Sequence, residues 1–146
     1  MDLLNDSSLK DRCFFRAAAM FVLCAFAAEV HAGAATFVVT NQGTGAYIID
    51  GQSNAPLRLV RGEVYTFSIN ASGHPFLLKT IQGSGAGNQY TNGVMGNGTQ
   101  VGSLIFTVPL DAPNTLFYNC QFHSPMTGTI TVVDGNLARI FGDGFE

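Results

Sequence analysis

The sequence predicts an all-β fold, a Greek-key β-sandwich of about eight strands, on three observations. Short apolar or alternating segments recur from Ala34 to Asp134. Gly, Pro and Asn fall between them. No stretch there repeats with the period of an amphipathic helix. Many short strands with turn signals between them favour two packed sheets or a closed barrel.

Thr36, Phe37, Val38, Val39 and Thr40 are β-branched or aromatic and form the first strand. Gly43, Thr44 and Gly45 turn the chain into a second at residues 46–49. A short third, residues 57–60, is closed by Arg61 and Gly62. In residues 63–70, Tyr65, Phe67 and Ile69 share one face while Thr66, Ser68 and Asn70 share the other. A strand with one buried face needs that alternation. Residues 76–81, 102–108, 115–119 and 128–133 complete the set. Residues 82–100 are rich in Gly and Asn and read as a long surface loop with room for one short helical turn. Asn70 and Asn97 each begin a glycosylation sequon, a match that arises often by chance.

The ends differ from this core. Lys10, Arg12 and Arg16 precede an apolar run over residues 17–28, and Val30, His31 and Ala32 follow it. A basic start, a short apolar core and a small-residue exit are the parts of a secretory signal. The apolar run is shorter than the roughly 20 residues that span a bilayer. The expected organisation is a signal peptide at 1–32, one domain at 33–134 and a C-terminal tail at 135–146. The exported chain would be periplasmic or secreted, with no membrane span after cleavage. A net charge of -3 with 12% charged residues leaves no basic footprint for nucleic acid.

Cleavage after Ala32 removes Cys13, Cys24 and His31. Cys120, His74, His123, Met95 and Met126 are then the remaining cysteine, histidines and methionines. A single cysteine cannot form an internal disulfide, and an exported free thiol is open to oxidation. Metal ligation is a reason to keep it.

Cys120, His123 and Met126 stand at C-x2-H-x2-M spacing, after one strand and before the next. A tight loop there can turn all three side chains onto one point. Thiolate and thioether suit Cu(I), and imidazole suits either oxidation state, so the set points to copper. Two imidazoles and a thiolate with a weak axial thioether form the blue-copper arrangement. His74, between Gly73 and Pro75, is the one histidine left to supply the second imidazole. Taken singly, Cys120 could be a small buried hydrophobe, His74 a surface residue and Met126 core filler. Zinc takes Cys and His in tetrahedral sets and rarely recruits a thioether. Met95 lies in the Gly/Asn-rich segment and is not expected to be a ligand.

Residues 120–128, with Tyr118 two places before the cysteine, resemble the cupredoxin family of type 1 blue-copper proteins, which includes plastocyanin and amicyanin. The resemblance extends from the first strand to about Asp134. The two-residue gap between His123 and Met126 is similar to the short amicyanin loop. It implies an eight-stranded Greek-key sandwich with one copper ion at one end, held by His74, Cys120, His123 and Met126. It also implies that His123 is the partly exposed ligand and the exit for the electron. Many relatives carry Asn after the first histidine, where it braces the ligand loop. Here Pro75 stands in that place, and the brace must come from elsewhere.

The function expected is that of a soluble, monomeric single-electron carrier cycling between Cu(I) and Cu(II), not an enzyme. Redox partner proteins would dock transiently near His123, on a patch formed by Pro125 and Phe122. Copper storage, delivery or sensing would use the same ligands, and a sandwich with a vestigial site is a third reading. Two histidines cannot build the clusters of a multicopper oxidase.

Overall fold

A computed structural model describes residues 35–135. The expected leader at 1–32 and all but the first residue of the expected tail lie outside them. Ten strands form: β1 (Ala35–Gln42), β2 (Ala46–Ile49), β3 (Gln52–Ser53), β4 (Leu57–Val60), β5 (Val64–Asn70), β6 (Phe76–Lys79), β7 (Val94–Met95), β8 (Val101–Thr107), β9 (Thr115–Cys120) and β10 (Thr127–Val133). Eight of these are the strands expected. The two-residue strands β3 and β7 are additional, too short for any periodicity to announce. The helical turn expected within residues 82–100 does not form. Backbone bonds to neighbouring strands hold that segment instead.

The strands make two mixed sheets. One runs β3-β2-β1-β5-β8-β7 and the other β4-β10-β9-β6. β1 pairs parallel with β5 and β4 parallel with β10, and the remaining pairs are antiparallel. The chain crosses repeatedly between the sheets, which makes the expected Greek-key sandwich. Among the described residues no helix is long and apolar enough to cross a membrane.

Alternation works as expected in β5, where Tyr65, Phe67 and Ile69 are buried. Phe67 and Phe76 meet across the sheets with ring centroids 5.6 Å apart, and Phe76 stacks on Tyr118 at 5.2 Å. Offset aromatic contacts of this kind add stability beyond their buried area. Tyr118 lies over Gly128, its partner in the β9–β10 register. A Cβ at Gly128 would collide with the Tyr118 ring and hydroxyl, so the position has room for glycine alone.

β6 departs from alternation, with all four residues buried. Phe76 and Leu78 face the core, while Leu77 and Lys79 face outward under residues 80–100. That segment also covers the edge of β6. Phe76 N–H donates to Thr99 O at 3.0 Å, and Gly98 N–H donates to Phe76 O at 2.8 Å. Leu78 N–H donates to Asn97 Oδ1 at 2.8 Å, and Tyr90 N–H donates to Leu78 O at 2.8 Å. An open edge would invite pairing with another chain, so this cover has a clear purpose. It engages the amide of Asn97, whose Nδ2 donates to Tyr90 O at 3.2 Å, which takes that sequon nitrogen away from the surface.

Candidate metal centre

β6 and β9 pair with Phe76 opposite Cys120. This register puts His74, two residues before Phe76, at the same end of the sandwich as Cys120, the last residue of β9. His123 and Met126 lie on the short connection from β9 to β10. Cys120 N–H donates to Met126 O at 2.9 Å, and Met126 N–H donates to His123 O at 3.2 Å, which closes the connection into a tight turn. On the other side, His74 N–H donates to Ala71 O at 2.9 Å. Gly73 makes that turn with φ +84, a region that favours glycine, and its N–H donates to Gln100 Oε1 at 2.7 Å.

Three donor atoms converge. His74 Nδ1 and His123 Nδ1 are 3.1 Å apart. Cys120 Sγ lies 3.8 Å from the first and 3.4 Å from the second. A circle through three points so spaced has a radius of about 2.0 Å, the length of a metal–imidazole bond and slightly less than a metal–thiolate bond. Three electron-rich atoms this close are stabilised by positive charge at their centre. The donors therefore fit a small metal ion.

Cys120 is fully buried, His74 is 8% exposed and His123 is half-buried. Burial, and next the neighbouring His123, lower the pKa of His74 below the ordinary imidazole value, which favours the neutral ring a metal needs. Met126 is fully buried and its backbone is bonded to both loop ligands, so it belongs to the same cluster of chain. Met95 stands apart, 68% exposed on β7.

Two residues that sequence reasoning missed hold the ligand stretches from outside. The Tyr47 hydroxyl donates to His74 O at 2.9 Å, and Asn54 Nδ2 donates to Pro125 O at 2.9 Å. They lie 27 and 71 positions from their partners, and no local pattern in the chain announces such bonds. Burial, and then the nearby Cys120 sulfur, push the Tyr47 pKa far above the ordinary phenol value, so it remains a donor.

Two mixed sheets in Greek-key order, with this site at one end, define the cupredoxin fold. Among solved structures, reduced rusticyanin matches with a TM-score of 0.50 and 18% identity, over 69% of this chain and 81% of that one. Rusticyanin from Thiobacillus ferrooxidans matches with a TM-score of 0.50 and 21% identity, over 69% and 79%. Auracyanin A, a "blue" copper protein from Chloroflexus aurantiacus, matches with a TM-score of 0.47 and 19% identity, over 69% and 100%. No protein-family model matches the chain, and neither does any curated protein. At these identities the likeness to rusticyanin is one of fold.

Proposed function

We propose that this chain is a type 1 copper protein that carries single electrons outside the cytoplasm. His74, Cys120, His123 and Met126 would hold one copper ion through two imidazoles, a thiolate and a thioether. The observation that carries this reading is the triangle of two Nδ1 atoms and one Sγ, sized for a metal. Thiolate and imidazole in such a set suit copper better than zinc, and the thioether sharpens that preference. The likeness of fold to rusticyanin, which one of its solved structures names a copper protein, supports it.

Copper supplies a one-electron couple, and the rest falls to the chain. Burial of Cys120 and His74 keeps water from the donors. Three ligands on one tight turn, braced by β9 and β10, limit how far the donors move when the charge changes. His123 is the most accessible of the four, which makes it the natural exit for the electron. Phe122, 60% exposed, and exposed Pro125 flank it and would form the patch where a redox partner docks transiently. Storage or delivery would use the same residues, but a donor set this buried favours retention of the ion. The basic, apolar and small-residue order of the first 32 residues supports export to the periplasm or beyond.

The test is a visible absorption spectrum of the purified protein with Cu(II). An intense thiolate-to-copper band, absent in Cys120→Ser, together with reversible one-electron voltammetry, is the expected result. A colourless wild type would refute the proposal.

A further inference from the structure

The ligands come from two stretches of chain on the four-stranded sheet, and a single corner of the opposite sheet bonds to both. That corner is the open end of the β2–β3 pair, where Tyr47 in β2 faces Asn54 just after β3. Its residues Tyr47 and Asn54 are tied to each other twice: Tyr47 N–H donates to Asn54 Oδ1 at 3.0 Å, and Asn54 N–H donates to Tyr47 O at 2.7 Å. From this unit the Tyr47 hydroxyl reaches the carbonyl of His74, and Asn54 Nδ2 reaches the carbonyl of Pro125, the residue before Met126. The Asn54 amide can sit only one way round, because a backbone N–H needs its oxygen and a carbonyl needs its nitrogen. Asn54 has φ +45, a conformation that asparagine tolerates better than most residues. A third bond ties β9 to the same corner, since the Tyr118 hydroxyl donates to Ala55 O at 2.8 Å.

We infer that Tyr47 and Asn54 are positioning residues, a clamp that sets the separation of His74 from the Cys120–Met126 turn before any metal binds. The inference rests on the metal reading above and names how that site is preorganised. Pro75 has no N–H to offer after His74, so bracing from that residue's amide is impossible. The clamp supplies it from the other sheet. Tyr47 is fully buried and packs edge-on against Phe76 with centroids 4.9 Å apart, which restricts the swing of its hydroxyl. Both prongs end on backbone carbonyls, so they steer the ligand-bearing chain rather than the imidazoles.

Tyr47→Phe removes one prong and keeps the ring. Asn54→Asp removes the other, because its carboxylate can still accept from Tyr47 N–H but has no donor for Pro125 O. Tyr65→Phe is the control. Its hydroxyl accepts from Val60 N–H at 2.9 Å toward the far end of β5, away from the metal centre. Two measurements decide: Cu(II) affinity by competition with a chelator, and the imidazole nitrogen signals of His74 and His123 by NMR in metal-free protein. Each cut is expected to weaken Cu(II) binding on the order of tenfold, as loss of a bond supporting a ligand does, and to shift or broaden both histidine signals. Tyr65→Phe should leave affinity and signals unchanged. Wild-type affinity and signals in both folded clamp variants would overturn the inference, as would an equal loss in Tyr65→Phe. If Tyr47→Phe fails to fold, Asn54→Asp at its half-buried corner decides alone. A wild type that takes up no Cu(II) would defeat the copper reading, while the metal-free histidine signals would still judge the clamp.

Discussion

His74 shows how one residue couples site chemistry to stability. In the unfolded chain its ring takes a proton near the ordinary value of 6.5, whereas the fold lowers that value through burial and the nearby His123. Between the two values the unfolded state binds more protons than the folded one. Stability therefore rises with pH across that window. For metal-free protein, the contribution of His74 is full above 6.5 and drains away as the pH falls through the folded value. The urea midpoint of metal-free protein should accordingly drop as the pH falls below 6.5 and through the folded value. His74→Gln should drop less over the same range. A wild type and variant with identical pH profiles would show that the ring is not held neutral by the fold.

Among the elements, β6 was the least legible. Alternation places Leu77 and Lys79 on a face that a two-sheet sandwich leaves to water, yet both are only 2% exposed. The Gly/Asn-rich segment that follows folds back over them. Lys79 Nζ donates to the carbonyls of Gly83 and Gly85, the latter at 3.0 Å, with Ser84 O at 3.4 Å. A buried ammonium is tolerable when carbonyl dipoles replace its water. That segment in turn meets the ligand turn, where Gly85 N–H donates to Gln121 O at 2.7 Å and Gly83 N–H to Asn119 Oδ1 at 3.1 Å. Lys79→Met keeps the stem and removes the donors. It should cost about 2 kcal/mol in urea unfolding, the scale of a lost hydrogen bond to a charged group, and should speed amide exchange at residues 83–85. An unchanged midpoint would mean that water replaces the ammonium freely.

At the scale of the molecule, the metal centre ties the β5–β6 connection to the β9–β10 turn, so an occupied site should stabilise the entire sandwich. A ligand that binds only the folded state raises stability by about 2.7 kcal/mol at a hundred times its dissociation constant. Stripping copper with a chelator should lower the melting temperature, and restoring Cu(II) should return it. Cys120→Ser should melt at one temperature in both conditions. Calorimetry with and without chelator checks this, and a wild-type melting temperature indifferent to Cu(II) would count against a resident ion.

The sequence by itself determined the strand-rich class, eight of the ten strands and the four candidate ligands. Side-chain alternation and Gly and Asn turns are local, as is the C-x2-H-x2-M spacing, and local signals survive in a one-dimensional string. Even His74 could be found by elimination, because the expected exported chain holds no other histidine to join His123. Only the tertiary structure decided that Phe76 pairs with Cys120, that residues 80–100 bury an ammonium, and that Tyr47 and Asn54 grip the ligand stretches. Each of these depends on residues far apart in the chain meeting across a sheet or between sheets. Such meetings are set by how the whole sandwich packs, and no short stretch of residues encodes them.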